Sequence, residues 1–279
     1  MIFIRVFQNV MAFLYICRKQ NYKTMTQENF QLFLWIMSAC ALVVFVALYF
    51  VKAGYGIFRT SSWGFAINNR WGWLLMEAPV FVVMLVLWWR SDVGYTWPAF
   101  LFFLLFELHY FQRSFIFPFL MNGKSKMPIA ILLMGMVFNI LNGIMQAGGL
   151  FYFPAIDYAV EDWYYFLRPQ AMAGLLIFFF GMMVNWHSDR VIRQLRKPGD
   201  TAHYLPQRGF YRYVTSANYF GELVEWVGFA LLTASPAAWV FAWWTFANLV
   251  PRAYAINQRY RREFGSAVGN RKCIIPFIY

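Results

Sequence analysis

Amide, carboxylate and guanidinium side chains are concentrated between residues 185 and 226, where one apolar segment ends and the next begins. At about 100° per residue, a helix would place Asn185, Asp189 and Arg196 within roughly 40° of one another. Three such groups on one stripe can share a single polar ligand, so the pattern predicts a ligand site. An amphipathic helix at the membrane surface is the competing interpretation.

A second polar stripe lies in the following apolar segment, where Asn218, Glu222 and Glu225 are spaced i, i+4 and i+7. This spacing places all three on one helix face. Acidic groups on a membrane helix are costly unless they face a partner or water. The stripe therefore predicts a second wall of the same site, with helix-packing contacts as the alternative.

A carboxyl and a phenol in apolar segments are candidates for acid chemistry. Glu77 has apolar neighbours in WGWLLMEAPVF, and desolvation favours the neutral acid, which can donate a hydrogen bond. Tyr110 and Arg113, in HYFQRSF, lie within about 60° of each other on a helix, so they could point into one cavity. The alternatives are a Glu77 carboxylate paired with an arginine at a helix end, and an aromatic-belt role for Tyr110.

Two more polar groups border apolar segments. Arg252 and Tyr260 follow the last apolar segment and lie within about 80° on a helix. Asn122 and Lys124 occupy the loop MNGKSKMP. Their side chains could contact the phosphates of a ligand or anionic lipid, and the sequence leaves both open.

The elements that must position these groups are membrane helices. Of the 279 residues, 61% are apolar and only 13% are charged, against roughly 25% charged in soluble proteins. The apolar blocks reach bilayer-spanning length. We therefore predict an all-α, polytopic integral membrane protein with seven transmembrane helices, six being the fallback. The predicted spans are residues 30–51, 72–89, 97–119, 128–150, 168–187, 218–234 and 236–251.

The net charge of +12 is distributed unevenly between the two sides of this arrangement. With the N-terminus outside and the C-terminus cytoplasmic, 18 of the 24 basic residues fall on cytoplasmic segments. The site is then expected to face the cytoplasm, and no nucleic-acid partner is predicted.

The three cysteines lack metal-ligand spacing, so no metal site is predicted. Since GxGxxG and Walker motifs are absent, any nucleotide must be held by the membrane helices and their loops.

The domain organisation is simple. Residues 1–24 are predicted to be an N-terminal extension, with Met25 as an alternative start and an amphipathic helix as the competing interpretation. Residues 25–279 are predicted to form a single transmembrane domain with a cytoplasmic-facing ligand site.

The chain contains several long motifs, namely NWHSDRVIRQLRKPGD, YLPQRGFYRYVTSANYFGELVEW, PRAY, RRE and NRKCIIPFIY, with HYFQRSF and LNGIMQ earlier. These motifs resemble those of the steroid 5α-reductase family, in its bacterial-type form. The resemblance covers nearly everything from residue 72 onward. It implies a seven-helix membrane reductase that uses NADPH to saturate the Δ4 double bond of a 3-oxo steroid. The cofactor-binding residues that it implies are Arg113, Asn122, Asn185, Asp189, Arg196, His203, Asn218, Glu222, Arg252 and Tyr260.

The resemblance also implies a catalytic set, made of a Gln-Glu pair on the second helix and a tyrosine on the third. The pair reads Met76-Glu77 in this chain and Tyr110 is retained. Methionine cannot donate a hydrogen bond, so the glutamine's role is missing or unnecessary here. His203 stands where the family has tyrosine. The implied task of Tyr110 and a neutral Glu77 is to polarise the steroid C3 carbonyl during hydride transfer to C5.

Other functions stay open at this stage. A reductase of another lipid enone, such as an enoyl thioester or a polyprenoid, would keep the fold and NADPH. An isoprenylcysteine methyltransferase-like enzyme would bind S-adenosylmethionine, and a transporter or lipid-binding protein would consume no NADPH. The expected partners are a steroid-like substrate from the bilayer and membrane lipids, with no protein partner predicted. A bacterial inner membrane is favoured over the endoplasmic reticulum because no retention signal is evident.

Overall fold

The computed structural model describes residues 26–52, 54, 56–58, 63–121, 125–195 and 202–279. The predictions for the N-terminal extension, Asn122, Lys124 and Arg196 lie outside these residues. The α-helices of the described chain are α1 (Gln27–Phe50), α2 (Asn69–Trp89), α3 (Trp97–Phe111), α4 (Phe117–Leu120), α5 (Ile129–Ala147), α6 (Tyr158–Glu161), α7 (Pro169–Gln194), α8 (Ala217–Thr233) and α9 (Pro236–Phe264).

Each predicted span falls on a helical stretch, and the helical fold class is confirmed. The spans predicted over residues 168–187 and 236–251 end seven and thirteen residues before α7 and α9 do. Among the described residues, five helical stretches are long and apolar enough to cross a membrane, namely α1, α2, α3 with α4, α5 with the turn that follows it, and α7. On the outer face of α1, Trp35 and Phe50 are 74% and 82% exposed, as expected of lipid-facing side chains. The chain is an integral membrane protein, while the seven-span count and the orientation stay predictions.

Local sequence explains where several helices begin. Thr26 precedes α1, and its hydroxyl accepts a hydrogen bond from the backbone N–H of Asn29 at 3.2 Å. Asn68 caps α2 in the same way. Pro169 and Pro236 occupy the first positions of α7 and α9, where the missing N–H costs nothing.

A short antiparallel strand pair, β1 (Ala66–Asn68) with β2 (Lys126–Pro128), was not predicted. Ile67 lies opposite Met127 in this pair. Three-residue strands are too short to show the alternation that identifies a strand in a sequence. Because β1 leads directly into α2 and β2 into α5, the pair fixes the starts of two helices that line the candidate site.

Glycines allow α7 and α8 to pack with their backbones almost touching. A Cβ atom added to Gly221 would lie under 3.0 Å from the backbone nitrogen of Asn185, and one added to Gly181 would meet the α8 backbone equally closely. Gly174 and Gly228 repeat this relationship two turns further along. Only residues without a side chain permit such an approach. The contact brings the two predicted polar stripes face to face.

Trp226 is the centre of the aromatic core. It is 1% exposed, and its ring lies 5.7 Å from that of Phe106 on α3 and 4.6 Å from that of Phe241 on α9. Tilted and edge-on ring contacts of this kind add to the free energy gained by burying the rings. They hold α3, α8 and α9 together beside the polar groups described next.

Candidate active site

Glu77 is held by an amide from a neighbouring helix. Its Oε2 atom accepts a hydrogen bond from Nδ2 of Asn139, on α5, at 3.1 Å. The same Nδ2 donates to the backbone oxygen of Met76 at 2.7 Å. Asn139 is 4% exposed, whereas Glu77 is half-buried. The candidate acid is therefore fixed at the contact between α2 and α5.

Tyr110 is held in a similar way, one helical turn further along α5. Its hydroxyl oxygen accepts a hydrogen bond from Nδ2 of Asn142 at 3.1 Å, and its ring lies 4.8 Å from that of Phe106. Asn139 and Asn142 are three residues apart, so they lie side by side on one face of α5. Since Asn139 binds Glu77 and Asn142 binds Tyr110, the structure places the two predicted catalytic residues against neighbouring positions of α5.

The two asparagines were not predicted as site residues. An amide in an apolar helix ordinarily serves helix packing, and neither residue lies near the other polar stripes in the sequence. The available signal was their i, i+3 spacing within FNILNGIMQ. Only the tertiary structure shows which side chains they face.

Arg113 lies at the junction between the catalytic pair and the predicted cofactor residues. Its Nη1 atom is 3.3 Å from Oδ2 of Asp189, and its Nη2 atom is 3.9 Å from Oε2 of Glu222. The guanidinium carbon lies 4.7 Å from the ring centroid of Trp73 and 4.6 Å from that of Phe117. The cation is therefore fixed by two carboxylates and by two aromatic rings.

A π-helical turn, Gln112–Ile116, carries Arg113 directly after α3. Such turns change the direction of the following side chains relative to an α-helix, and they are frequent at functional sites. The turn separates Arg113 from Tyr110 on α3, and that the two side chains share one cavity stays a prediction.

The two predicted polar stripes meet where α7 faces α8. Asn218 donates from Nδ2 to Oδ1 of Asp189 at 3.1 Å, and Asn185 donates from Nδ2 to the backbone oxygen of Asn218 at 2.9 Å. The hydroxyl of Tyr211, which was not predicted, donates to Oδ1 of Asn218 at 3.3 Å. These bonds form one connected network with Arg113.

The C-terminal helix contributes the predicted residues Arg252 and Tyr260. Arg252 donates from Nε to the hydroxyl of Tyr219 at 2.8 Å, beside Asn218 on α8. The ring of Tyr260 lies 5.7 Å from that of Phe264 on the same helix. Arg252 therefore adjoins the network through Tyr219.

His203 contacts two charged residues on the C-terminal part of α9, which extends past the predicted span of residues 236–251. Its Nδ1 atom lies 3.0 Å from Nη2 of Arg259 and 3.4 Å from Oε1 of Glu263. Arg259 donates from Nε to Oε1 of Glu263 at 2.6 Å. Desolvation raises the pKa of the Glu263 carboxyl, but the hydrogen bond and charge of Arg259, with His203, hold that pKa below its ordinary value.

His109 and Glu225 form a separate pair on the far side of Tyr110. His109 is 3% exposed and Glu225 is fully buried, and the pair lies between α3 and α8. The imidazole of His109 contacts the ring of Trp226, at 4.7 Å between centroids.

The donor set fits a nucleotide cofactor. Arginines such as Arg113 and Arg252 bind phosphates, while carboxylates and amides such as Asp189 and Asn185 bind hydroxyl and amide groups. Nη1 of Arg193, beside Asp189, is buried and has no hydrogen-bond partner among the described residues. A buried donor without a partner is costly, and an anionic ligand would satisfy it.

Comparison with known proteins identifies the family. A family model described as 3-oxo-5-alpha-steroid 4-dehydrogenase matches residues 125–279. A cattle (Bos taurus) 3-oxo-5-alpha-steroid 4-dehydrogenase 1 is 35% identical over 252 residues, covering 88% of this chain and 95% of the relative. A pig (Sus scrofa) 3-oxo-5-alpha-steroid 4-dehydrogenase 2 is 39% identical over 240 residues, covering 84% and 91%.

The similarity extends to plants. A Gossypium hirsutum steroid 5-alpha-reductase is 35% identical over 260 residues, covering 91% of this chain and 98% of the relative. With its membrane helices and its buried polar network, the chain is a membrane-embedded oxidoreductase. It belongs to the steroid 5-alpha-reductase family, as the motifs predicted.

Proposed function

We propose that the protein reduces the Δ4 double bond of a 3-oxo-Δ4-steroid to the 5α-reduced 3-oxosteroid, with NADPH as the reductant. The names and the high coverage of its relatives support this reaction. The observation that carries the proposal is that two neighbouring amides on one face of α5, Asn139 and Asn142, hold Glu77 of α2 and Tyr110 of α3.

The chemistry divides between the cofactor and two side chains. NADPH supplies a hydride to C5 of the enone. Negative charge then develops on the C3 oxygen, and the O–H groups of Tyr110 and of a neutral Glu77 donate hydrogen bonds to it. C4 gains a proton, so the product carries one added hydride and one added proton.

The remaining predicted residues serve the cofactor in this proposal. Arg113 and Arg252 neutralise phosphate charge, and Asp189 and Glu222 hold Arg113 in place. Asn185, Asn218, Tyr260 and His203 contribute polar contacts. The family resemblance assigns the same role to Asn122 and Arg196, which lie outside the described residues. The substrate is a lipophilic, steroid-like molecule that enters from the bilayer, and the favoured compartment is a bacterial inner membrane.

The test is turnover of testosterone or progesterone by the purified protein in detergent with NADPH, followed by mass analysis of the steroid. We expect a product two mass units heavier, and its loss in Glu77→Leu and Tyr110→Phe, which each remove a hydrogen-bond donor. Tyr165→Phe is the matched control, because that buried hydroxyl donates to the backbone oxygen of Leu232 at 2.6 Å, away from the proposed reaction. Full turnover by Glu77→Leu would refute the assigned role of the acid.

A second candidate keeps NADPH and changes the substrate. The apolar Met76 beside Glu77, in the position where the family resemblance implies glutamine, favours testing other lipid enones. If the protein binds NADPH but reduces neither steroid, the proposed substrate becomes an enoyl thioester or a polyprenoid.

A further inference from the structure

The amide of Asn139 uses one nitrogen for two contacts on α2. Nδ2 donates to Oε2 of Glu77 at 3.1 Å and to the backbone oxygen of Met76 at 2.7 Å. An amide nitrogen has two hydrogens, so both contacts can be made together. The second bond fixes the orientation of the amide with respect to the helix that carries Glu77.

A proline lies beside this contact on α2. Pro79 is inside the helix, two residues after Glu77. Proline has no N–H to donate and crowds the carbonyl four residues earlier, which is that of Leu75. The next carbonyl, of Met76, accepts a hydrogen bond from Asn139 on α5.

The Met76 side chain occupies the space beside Asn139 without competing for its contacts. A Cβ atom added to Gly135 would lie under 3.0 Å from the sulfur of Met76, so the thioether packs on α5 one turn before Asn139. A thioether cannot donate a hydrogen bond. The amide that faces Glu77 therefore comes from α5.

The direction of this hydrogen bond selects which oxygen of Glu77 carries a proton. The NH₂ group of Asn139 can only donate, so Oε2 must accept. A neutral carboxyl has one accepting carbonyl oxygen and one hydroxyl. When Glu77 is neutral, its proton is therefore on Oε1, the oxygen that does not face Asn139.

We propose that Asn139 is a positioning residue, which supplies from α5 the amide that position 76 lacks and thereby directs the Oε1 proton of Glu77 towards the substrate carbonyl. This inference rests on the proposed function for its catalytic consequence. Its structural part, the hydrogen bond to a neutral Glu77, can be measured without substrate.

The kinetic test compares Asn139→Ala with Gln146→Ala. Gln146 is a matched control, because it is a fully buried amide on the same helix that donates to the backbone oxygen of Ala237 at 2.9 Å. We expect Asn139→Ala to lower kcat by roughly 10-fold to 100-fold, the range for a misaligned catalytic group. The KM for NADPH should stay within about twofold of the wild-type value. Gln146→Ala should lower the melting temperature without this selective loss of kcat.

A second substitution tests whether an amide from position 76 can act in its place. Met76→Gln in the Asn139→Ala background should restore part of the lost kcat. The inference would be overturned by full kcat in Asn139→Ala, by parallel losses in Asn139→Ala and Gln146→Ala, or by an absence of rescue.

Infrared spectroscopy tests the hydrogen bond directly. The carboxyl C=O band that disappears in Glu77→Gln should shift to higher wavenumber in Asn139→Ala, because the carbonyl oxygen loses its donor. An unchanged band would refute the positioning contact even if steroids are reduced. A shifted band in a protein that reduces no steroid would retain the contact and refute the proposed reaction.

Discussion

His109 and Glu225 are joined by a hydrogen bond of 2.8 Å between Nδ1 and Oε1, and both side chains are buried. The pair connects α3, which carries Tyr110, to α8, which carries the predicted cofactor residues. Burying two ionisable groups costs free energy, which their hydrogen bond offsets. If one partner is removed, the other is left buried without compensation. We therefore expect the pair to fix the spacing between α3 and α8 and to take no direct part in the reaction.

We expect Glu225→Ala to lower the free energy of unfolding by about 3–5 kcal/mol, because His109 would be left buried without its partner. The double variant His109→Leu/Glu225→Leu should be more stable than Glu225→Ala. Denaturant unfolding in detergent measures both. Strictly additive effects of the His109→Leu and Glu225→Leu substitutions would contradict the coupling.

The glycine contacts predict that Gly181→Ala separates α7 from α8. The added methyl group would meet the backbone nitrogen of Glu225 at under 3.0 Å, so the helices must move apart. We expect a lower melting temperature and weaker NADPH binding. Leu176→Ala is the control, since Leu176 lies on the same helix and is 71% exposed. Equal effects of the two variants would argue against a specific role for the close approach.

Arg113→Lys tests whether the planar guanidinium is needed in addition to its charge. Lysine keeps the positive charge but loses the flat group that lies against Trp73 and Phe117. We expect NADPH affinity to fall by about tenfold, equivalent to about 1.4 kcal/mol. Fluorescence titration of NADPH measures this change. Arg168→Lys, at an exposed ion pair with Glu161, should leave the affinity unchanged.

The contacts among His203, Arg259 and Glu263 predict a pH-dependent contribution to stability. Because Arg259 and His203 hold the pKa of Glu263 below its ordinary value of 4.5, ionised Glu263 stabilises the folded protein above about pH 4.5. This contribution is lost as the pH falls through the lowered pKa of the folded state. Glu263→Gln should therefore melt below the wild type at pH 7, and the difference should narrow below pH 4. A difference that is independent of pH would contradict the assignment.

The sequence predicted features that depend on periodicity within one segment. The seven predicted spans fall on helical stretches because an apolar block that crosses a bilayer is helical. The polar ends of α7 and α9 lie beyond those spans, since apolar length does not measure them. The stripe containing Asn185 and Asp189 was predicted because helical spacing alone places the two residues together.

Features that depend on contacts between distant segments were missed. Asn139 and Asn142 act on side chains of α2 and α3, and no spacing within α5 shows which groups they face. Tyr211 lies in a short 3-10 turn whose residues carry no periodic pattern. The strands β1 and β2 are likewise recognised only once they are paired.

The near-contact of the α7 and α8 backbones has a consequence for how this enzyme can diversify. Where two main chains touch at Gly181 and Gly221, no side chain is available to be enlarged, trimmed or exchanged. Substitutions can therefore preserve or disrupt the contact between α7 and α8, but they cannot change it in small steps. The contact between α2 and α5 is made by the side chains of Met76 and Asn139 and can be remodelled residue by residue. Selection for new substrates would therefore change side chains between α2 and α5, while the contact between α7 and α8 stays constant.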